Sequence, residues 1–176
     1  LGEEYSVVAE GCNGRTIDQG DYVSGWINGR AYLRPCLYSH RDVDFLVVML
    51  GTNDLKDSFA ESAAEIAAAM DSFVEDAKVF MQEHQDTKMQ MILIAPPILK
   101  EQIVNSVFGD EFSEASVSKS KELAAFYQEI AQKHGCAFLD ASGFAEVSDD
   151  DCLHLSAENH EKFANELYRC IKALEQ

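Results

Sequence analysis

The sequence predicts an α/β domain in which a mostly parallel sheet carries helices on both faces, a three-layer α/β/α sandwich. Three observations predict it. Apolar runs at residues 45–50, 89–95 and 136–139 are short and unbroken, as in strands covered on both faces. Helical patterns lie between them, at 62–84 and 116–134. A further helical pattern follows Ser156. Strands that alternate with helices close into a parallel sheet. The 176 residues suit one domain with a sizeable core, so we read 1–176 as a single unit.

Each element has a local reason. Residues 5–9, Tyr-Ser-Val-Val-Ala, read as a short strand running into the glycine-rich turn Gly11-Cys12-Asn13-Gly14. Residues 45–50 form the next strand. Ser62 and Glu65 make a capping box, and Ile66, Met70, Phe73, Ala77 and Phe80 recur at helical spacing. The strand at 89–95 stops at Pro96-Pro97. Residues 98–113 show no period and read as a long loop. The helix at 116–134 ends at Gly135, and the strand at 136–139 follows. Ser156 caps the last helix, whose apolar stripe is Phe163, Leu167, Ile171 and Leu174. No repeat, linker or low-complexity tract interrupts the chain.

Charge and composition narrow the partners. Lys plus Arg number 14 and Asp plus Glu 31, a net charge of −17. Such a surface repels phosphate backbones and anionic bilayers, which sets nucleic acid and membrane aside as partners. No apolar run approaches the roughly 20 residues that cross a bilayer. The five cysteines include no CxxC pair and read as free thiols of a reducing, cytoplasmic compartment. The chain starts at Leu1 rather than Met, which leaves room for a lost leader.

In open α/β sheets ligands bind beyond the carboxyl ends of the strands. Three marked segments fall there. Gly11 to Thr16 follows one strand and Gly51-Thr52-Asn53-Asp54 the next. Asp151-Cys152-Leu153-His154 lies between the last strand and the last helix. An amide donor, a carboxylate and an imidazole therefore converge on one edge. Each has a plainer reading: Asn53 can cap its turn, Gly11 can be a turn residue only, and Asp54 suits backbone hydrogen bonds. Asp149 and Asp150 read as solvated, Arg15 as a salt-bridge partner. His40, His84, His134 and His160 read as ordinary packing or surface residues. Metal hydrolysis by Asp149, Asp151 and His154 lacks the further ligands that zinc requires, so no metal and no cofactor is expected.

Asn13-Gly14-Arg15-Thr16, Gly51-Thr52-Asn53-Asp54 and Asp151-x-x-His154 resemble blocks II, III and V of the SGNH (GDSL-type) hydrolases. The stretch from Asn28 to Leu37 and Ala95-Pro96-Pro97 resemble its arylesterase/acyltransferase branch. The resemblance spans essentially the whole chain and implies a flavodoxin-like sheet. It implies a serine esterase or acyltransferase acting on short-chain, acetyl-type esters. In that mapping the Gly14 N–H and the Asn53 amide would be oxyanion donors, His154 the general base and Asp151 its orienter. Trp26 and Tyr32, in the loop ahead of the 45–50 strand, are candidates to line the substrate pocket. The branch also implies a homo-oligomer, with Trp26, Tyr32 and Phe108 as interface aromatics.

One block of the family pattern is not in the sequence. The 176 residues contain no Gly-Asp-Ser, so no nucleophile is assigned; Ser6 and Ser24 lack the required context. The resemblance implies a nucleophile upstream of this chain, on a first strand lying between 5–9 and 45–50. Those two strands are then expected to stand apart, with the chain truncated at its N-terminus and inactive alone. The other class of function is a non-catalytic carbohydrate- or ester-binding protein that has kept the fold.

Overall fold

The computed structural model describes residues 2–20, 27–86 and 88–176. Its sheet has three strands, β1 (Phe45–Val48), β2 (Gln90–Ala95) and β3 (Ala137–Asp140), in that spatial order and all parallel. Val47 lies opposite Ile92, and Ile94 opposite Leu139. Among the described residues five helices surround it: α1 (Gly29–Ser39), α2 (Ala63–His84), α3 (Glu114–Ser120), α4 (Leu123–His134) and α5 (Ala157–Leu174).

Side-chain alternation along β2 builds the layers. Met91, Leu93 and Ala95 join the larger core with Ile66, Met70 and Phe73 of α2, Leu123 and Tyr127 of α4, and Leu33 and Leu37 of α1. Ile92 and Ile94 point the other way, into a second cluster with Phe163, Leu167 and Ile171 of α5. Ile92, Leu93 and Ile94 are each 0% exposed. The expected sandwich is thus the observed fold, with β2 covered on both faces.

Several helix ends follow their residues. Ser62 and Glu65 form the reciprocal capping box at α2. Gly135 closes α4 in the left-handed conformation at φ 65°, which glycine adopts without strain. Ser156 caps α5 by accepting from the Asn159 N–H.

The structure corrects the sequence reading in four places. Residues 5–9 form no strand. Among the described residues they pair with no neighbour in the sheet, and Val7 and Val8 lie in solvent, 73% and 49% exposed. Tyr5 is held instead by the end of α5, through Lys172 and the C-cap Glu175. No split sheet results: β1 is an edge strand among the described residues, with Val47 and Met49 more than a third exposed.

The second correction is α1, which places Tyr32 on a helix and not in a loop. Pro35 inside it argues locally against a helix, and its buried positions are few, Gly29, Leu33 and Leu37. Tertiary contacts override that signal. The Gly29 and Arg30 N–H groups donate to the Thr16 and Ile17 carbonyls at 3.0 and 2.7 Å. A Cβ at Gly29 would stand 2.7 Å from the Thr16 oxygen, so only glycine allows this approach. Third, the helix read at 116–134 is two, α3 and α4. Fourth, the segment read as a long loop holds a 3₁₀ turn at Glu101–Asn105. Trp26 and Ser24 lie outside the described residues.

The double burial of β2 makes a stability test. Leu93→Ala should cost about 2–5 kcal/mol in urea denaturation. Val107→Ala, at a side chain 84% exposed, should stay within about 0.5 kcal/mol.

Candidate active site

The loop that leaves β1 is fixed by one buried phenol. Tyr127, fully buried, donates its hydroxyl to the Leu50 carbonyl at 3.0 Å. Gly51 follows at φ 120°, and a Cβ there would lie 2.5 Å from the Tyr127 oxygen. The glycine is thus required twice, by its backbone angle and by the hydroxyl that presses against it. Asn53 then opens a short 3₁₀ turn, Asn53–Leu55.

Two side chains of this turn tie down the Gly14 loop. Asn53 Nδ2 donates to the Arg15 carbonyl at 3.1 Å. A primary amide has two donor hydrogens; among the described residues one is engaged. Asp54, 0% exposed, accepts the Ile17 N–H on Oδ1 at 2.9 Å. The plainer sequence reading of Asp54, loop support by backbone hydrogen bonds, matches this contact. Gly14 directly precedes these anchors at φ 74°, with open space where a Cβ would stand. Among the described residues no acceptor meets its N–H.

Burial pushes the Asp54 carboxyl up to about 7; the Ile17 N–H opposes the shift, and the neighbouring Glu61 charge adds to it. Asp54 Oδ2 and Glu61 Oε2 are buried, without a hydrogen-bond partner among the described residues.

The second half of the site is a compact loop after β3. The bridge between Val147 and Leu155 closes it, and the Ser148 N–H donates to the His154 carbonyl at 2.7 Å. Cys152 turns the chain at φ 63°. Inside the loop Asp151 is saturated with donors. Its Oδ1 accepts the Leu153 and His154 N–H groups, each at 2.9 Å. Its Oδ2 lies 2.7 Å from His154 Nδ1. Burial raises the Asp151 carboxyl, but the His154 and Leu153 N–H groups and the imidazole outweigh it, holding the pKa down at about 2. An ionised Asp151 fixes the ring and favours Nδ1 as its protonated nitrogen.

The opposite ring nitrogen, Nε2, bonds to no serine hydroxyl among the described residues. The His154 side chain is 66% exposed, and the Phe108 ring meets it edge-on at 5.6 Å between centroids. The chain after β2 abuts the same loop: the Lys100 N–H reaches the Cys152 carbonyl, and Lys100 Nζ pairs with Asp149 at 2.5 Å.

The structure bonds Asp151 to His154, and Asn53 to the carbonyl of Arg15, the residue after Gly14. Asn53 follows the carboxyl end of β1, and the loop of Asp151 and His154 follows that of β3. The Tyr32 hydroxyl donates to Glu10 Oε2 at 2.7 Å, and its ring lies 4.3 Å from the Arg15 guanidinium carbon. Arg15 also donates to the Glu10 carbonyl at 2.8 Å. Sequence reasoning missed two neighbours, Tyr127 behind Gly51 and Phe108 against His154. Neither has a motif; both owe their place to packing. All five cysteines are free thiols, and among the described residues no helix is long and apolar enough to cross a membrane.

A model of the GDSL-like lipase/acylhydrolase family matches residues 1–162. Among solved structures, Est24, a carbohydrate acetylesterase from Sinorhizobium meliloti, is 29% identical with a TM-score of 0.89, over 98% of this chain and 80% of that one. A native aryl esterase of M. smegmatis is 25% identical with a TM-score of 0.84, over 98% and 80%. Its inhibitor-bound form is 27% identical with a TM-score of 0.87, over the same shares. No curated protein matches the chain.

Asp54 generates a prediction of its own. Its folded pKa is raised from 3.8 to about 7, so the folded state holds this proton where the unfolded state has released it. The contribution is therefore lost as pH rises from about 4 to about 7 and is flat above. Asp54→Asn keeps an acceptor for Ile17 and should flatten that fall. Glu61, also raised mainly by burial, slopes the same way and remains in the variant. Urea midpoints from pH 4.5 to 8 check the difference.

Proposed function

Because the chain belongs to the GDSL-like lipase/acylhydrolase family, we propose that it is a serine esterase in which His154 and Asp151 serve as base and orienter. The observation that carries the reading is the Asp151 cluster: a carboxylate with four donors, the Ser148 hydroxyl, the Leu153 and His154 N–H groups and, at 2.7 Å, His154 Nδ1. A carboxylate so placed stabilises the imidazolium formed when Nε2 takes a proton.

The steps follow from that polarity. A serine hydroxyl at Nε2 gives up its proton as its oxygen attacks the ester carbonyl. Negative charge moves to the carbonyl oxygen, where the Asn53 amide and the Gly14 N–H are the proposed donors. Such neutral, fixed donors stabilise the developing charge more than the ground state. His154 then returns the proton to the leaving alcohol, and an acyl-serine remains. Water, activated by the same Nε2, releases the acid; an alcohol in its place completes acyl transfer. The reading assigns no serine of these 176 residues as nucleophile. Short acyl groups, acetyl above all, are the proposed substrates. The likeness to a carbohydrate acetylesterase and an aryl esterase supports this class.

The test combines turnover with labelling of the whole protein as its gene expresses it. Hydrolysis of p-nitrophenyl acetate and covalent capture of one serine by a fluorophosphonate are expected. His154→Ala should nearly abolish both, since the serine loses its base. Asn53→Ala should lower kcat by roughly 10²–10³ with little change in KM. Turnover that survives His154→Ala unchanged would overturn the assignment. Binding of an acetylated sugar with neither labelling nor turnover would replace it by a non-catalytic ester-binding role.

A further inference from the structure

We propose that Glu10, Cys36 and His40 form a zinc site that pins the Gly14 loop to α1, independent of the proposed esterase chemistry. Their candidate donor atoms, Glu10 carboxylate oxygen, Cys36 Sγ and a His40 ring nitrogen, all lie within 4.8 Å of one another. A tetrahedral zinc with these ligands needs donor separations of about 3.3–3.6 Å, so small side-chain rotations close the set.

The arrangement has the parts of a built site. Cys36 and His40 stand four residues apart, on one face of α1 and its C-cap, the spacing that lets two side chains grip one ion. His40 Nε2 already lies 2.8 Å from Glu10 Oε1. The Glu10 carboxylate is oriented from its other side by the Tyr32 hydroxyl on Oε2. Tyr32, Cys36 and His40 thus form one stripe along the helix, with the phenol as an outer support for the carboxylate ligand. The backbone of Glu10 is held too, by Arg15 on its carbonyl. The Glu10 and His40 side chains are 36% and 34% exposed, and Cys36 is half-buried. A thiolate, an imidazole and a carboxylate together select zinc over calcium or magnesium, which take oxygen ligands. Three protein ligands leave the fourth position to water.

The place of the site gives its consequence. Glu10 is four residues before Gly14 and is bonded through Arg15 to the peptide that Asn53 holds. A metal joining Glu10 to α1 fastens the front of this loop, as Asn53 and Asp54 fasten its back.

Untagged protein, stripped with chelator and kept reduced, is titrated with zinc against a chromophoric competitor. One equivalent is expected, and cobalt in its place should give a thiolate charge-transfer band. Cys36→Ser should abolish the band, and His40→Ala should weaken zinc by more than tenfold. Tyr32→Phe should weaken it by about 10–100-fold, the usual effect of an outer partner. Cys170→Ser, on α5, should bind as wild type. Zinc should also slow amide exchange across residues 10–16 and raise the thermal midpoint, in wild type and not in Cys36→Ser. Failure of wild type to bind one equivalent overturns the proposal, as does binding that Cys36→Ser and His40→Ala leave unchanged. Neither outcome bears on ester hydrolysis.

Discussion

The structure depends on β2 being enclosed from every side. It has a parallel strand on each edge and a helical layer on each face. Parallel strands need this cover, because their ladders leave no solvated face to turn outward. Once Met91, Leu93 and Ala95 point toward α2 and α4, Ile92 and Ile94 have to point toward α5. The carboxyl ends of β1 and β3 are then fixed relative to β2. Loops that carry Asn53 and His154 leave the same edge for that reason alone.

The edge itself is organised by polar contacts, not by apolar packing. Tyr127 holds the end of β1, Asn53 and Asp54 hold the Gly14 loop, and Asp151 holds His154. Each uses a buried or half-buried side chain to satisfy backbone groups that a loop cannot pair by itself. Asp54 does so at a cost, since its second oxygen is buried without a partner among the described residues. A polar group in that state opposes folding. The loops gain a single geometry in return.

Much of this was legible in the residues. The apolar runs at 89–95 and 136–139, the capping box at Ser62 and the stop at Gly135 act within a few residues, and local chemistry decided them. Asp151 and His154 were legible because they lie three residues apart and make one loop. What the sequence hid depends on distant partners. The 5–9 stretch has strand composition, but composition supplies no neighbouring ladder. Helix α1 reads poorly because of Pro35, and forms against carbonyls of residues 16 and 17. Tyr127 and Phe108 carry no motif at all. Cys36 and His40 each look ordinary alone, and only the helix shows that they share a face with Tyr32.

The two bonded pairs of the site differ in how much of the molecule they need. Asp151 and His154 are aligned inside one loop of nine residues, closed by the Val147–Leu155 bridge, so the entropy of bringing them together is small. Asn53 and the Arg15 carbonyl meet across 38 positions of sequence, and their contact exists only while β1, α1 and the loop that precedes α1 stay docked. Partial opening of the protein should therefore dissolve the amide cradle before it separates the acid from its imidazole. The Asp151–His154 pair thus needs only its own loop, while the Asn53 contact reports the docked state of the whole domain.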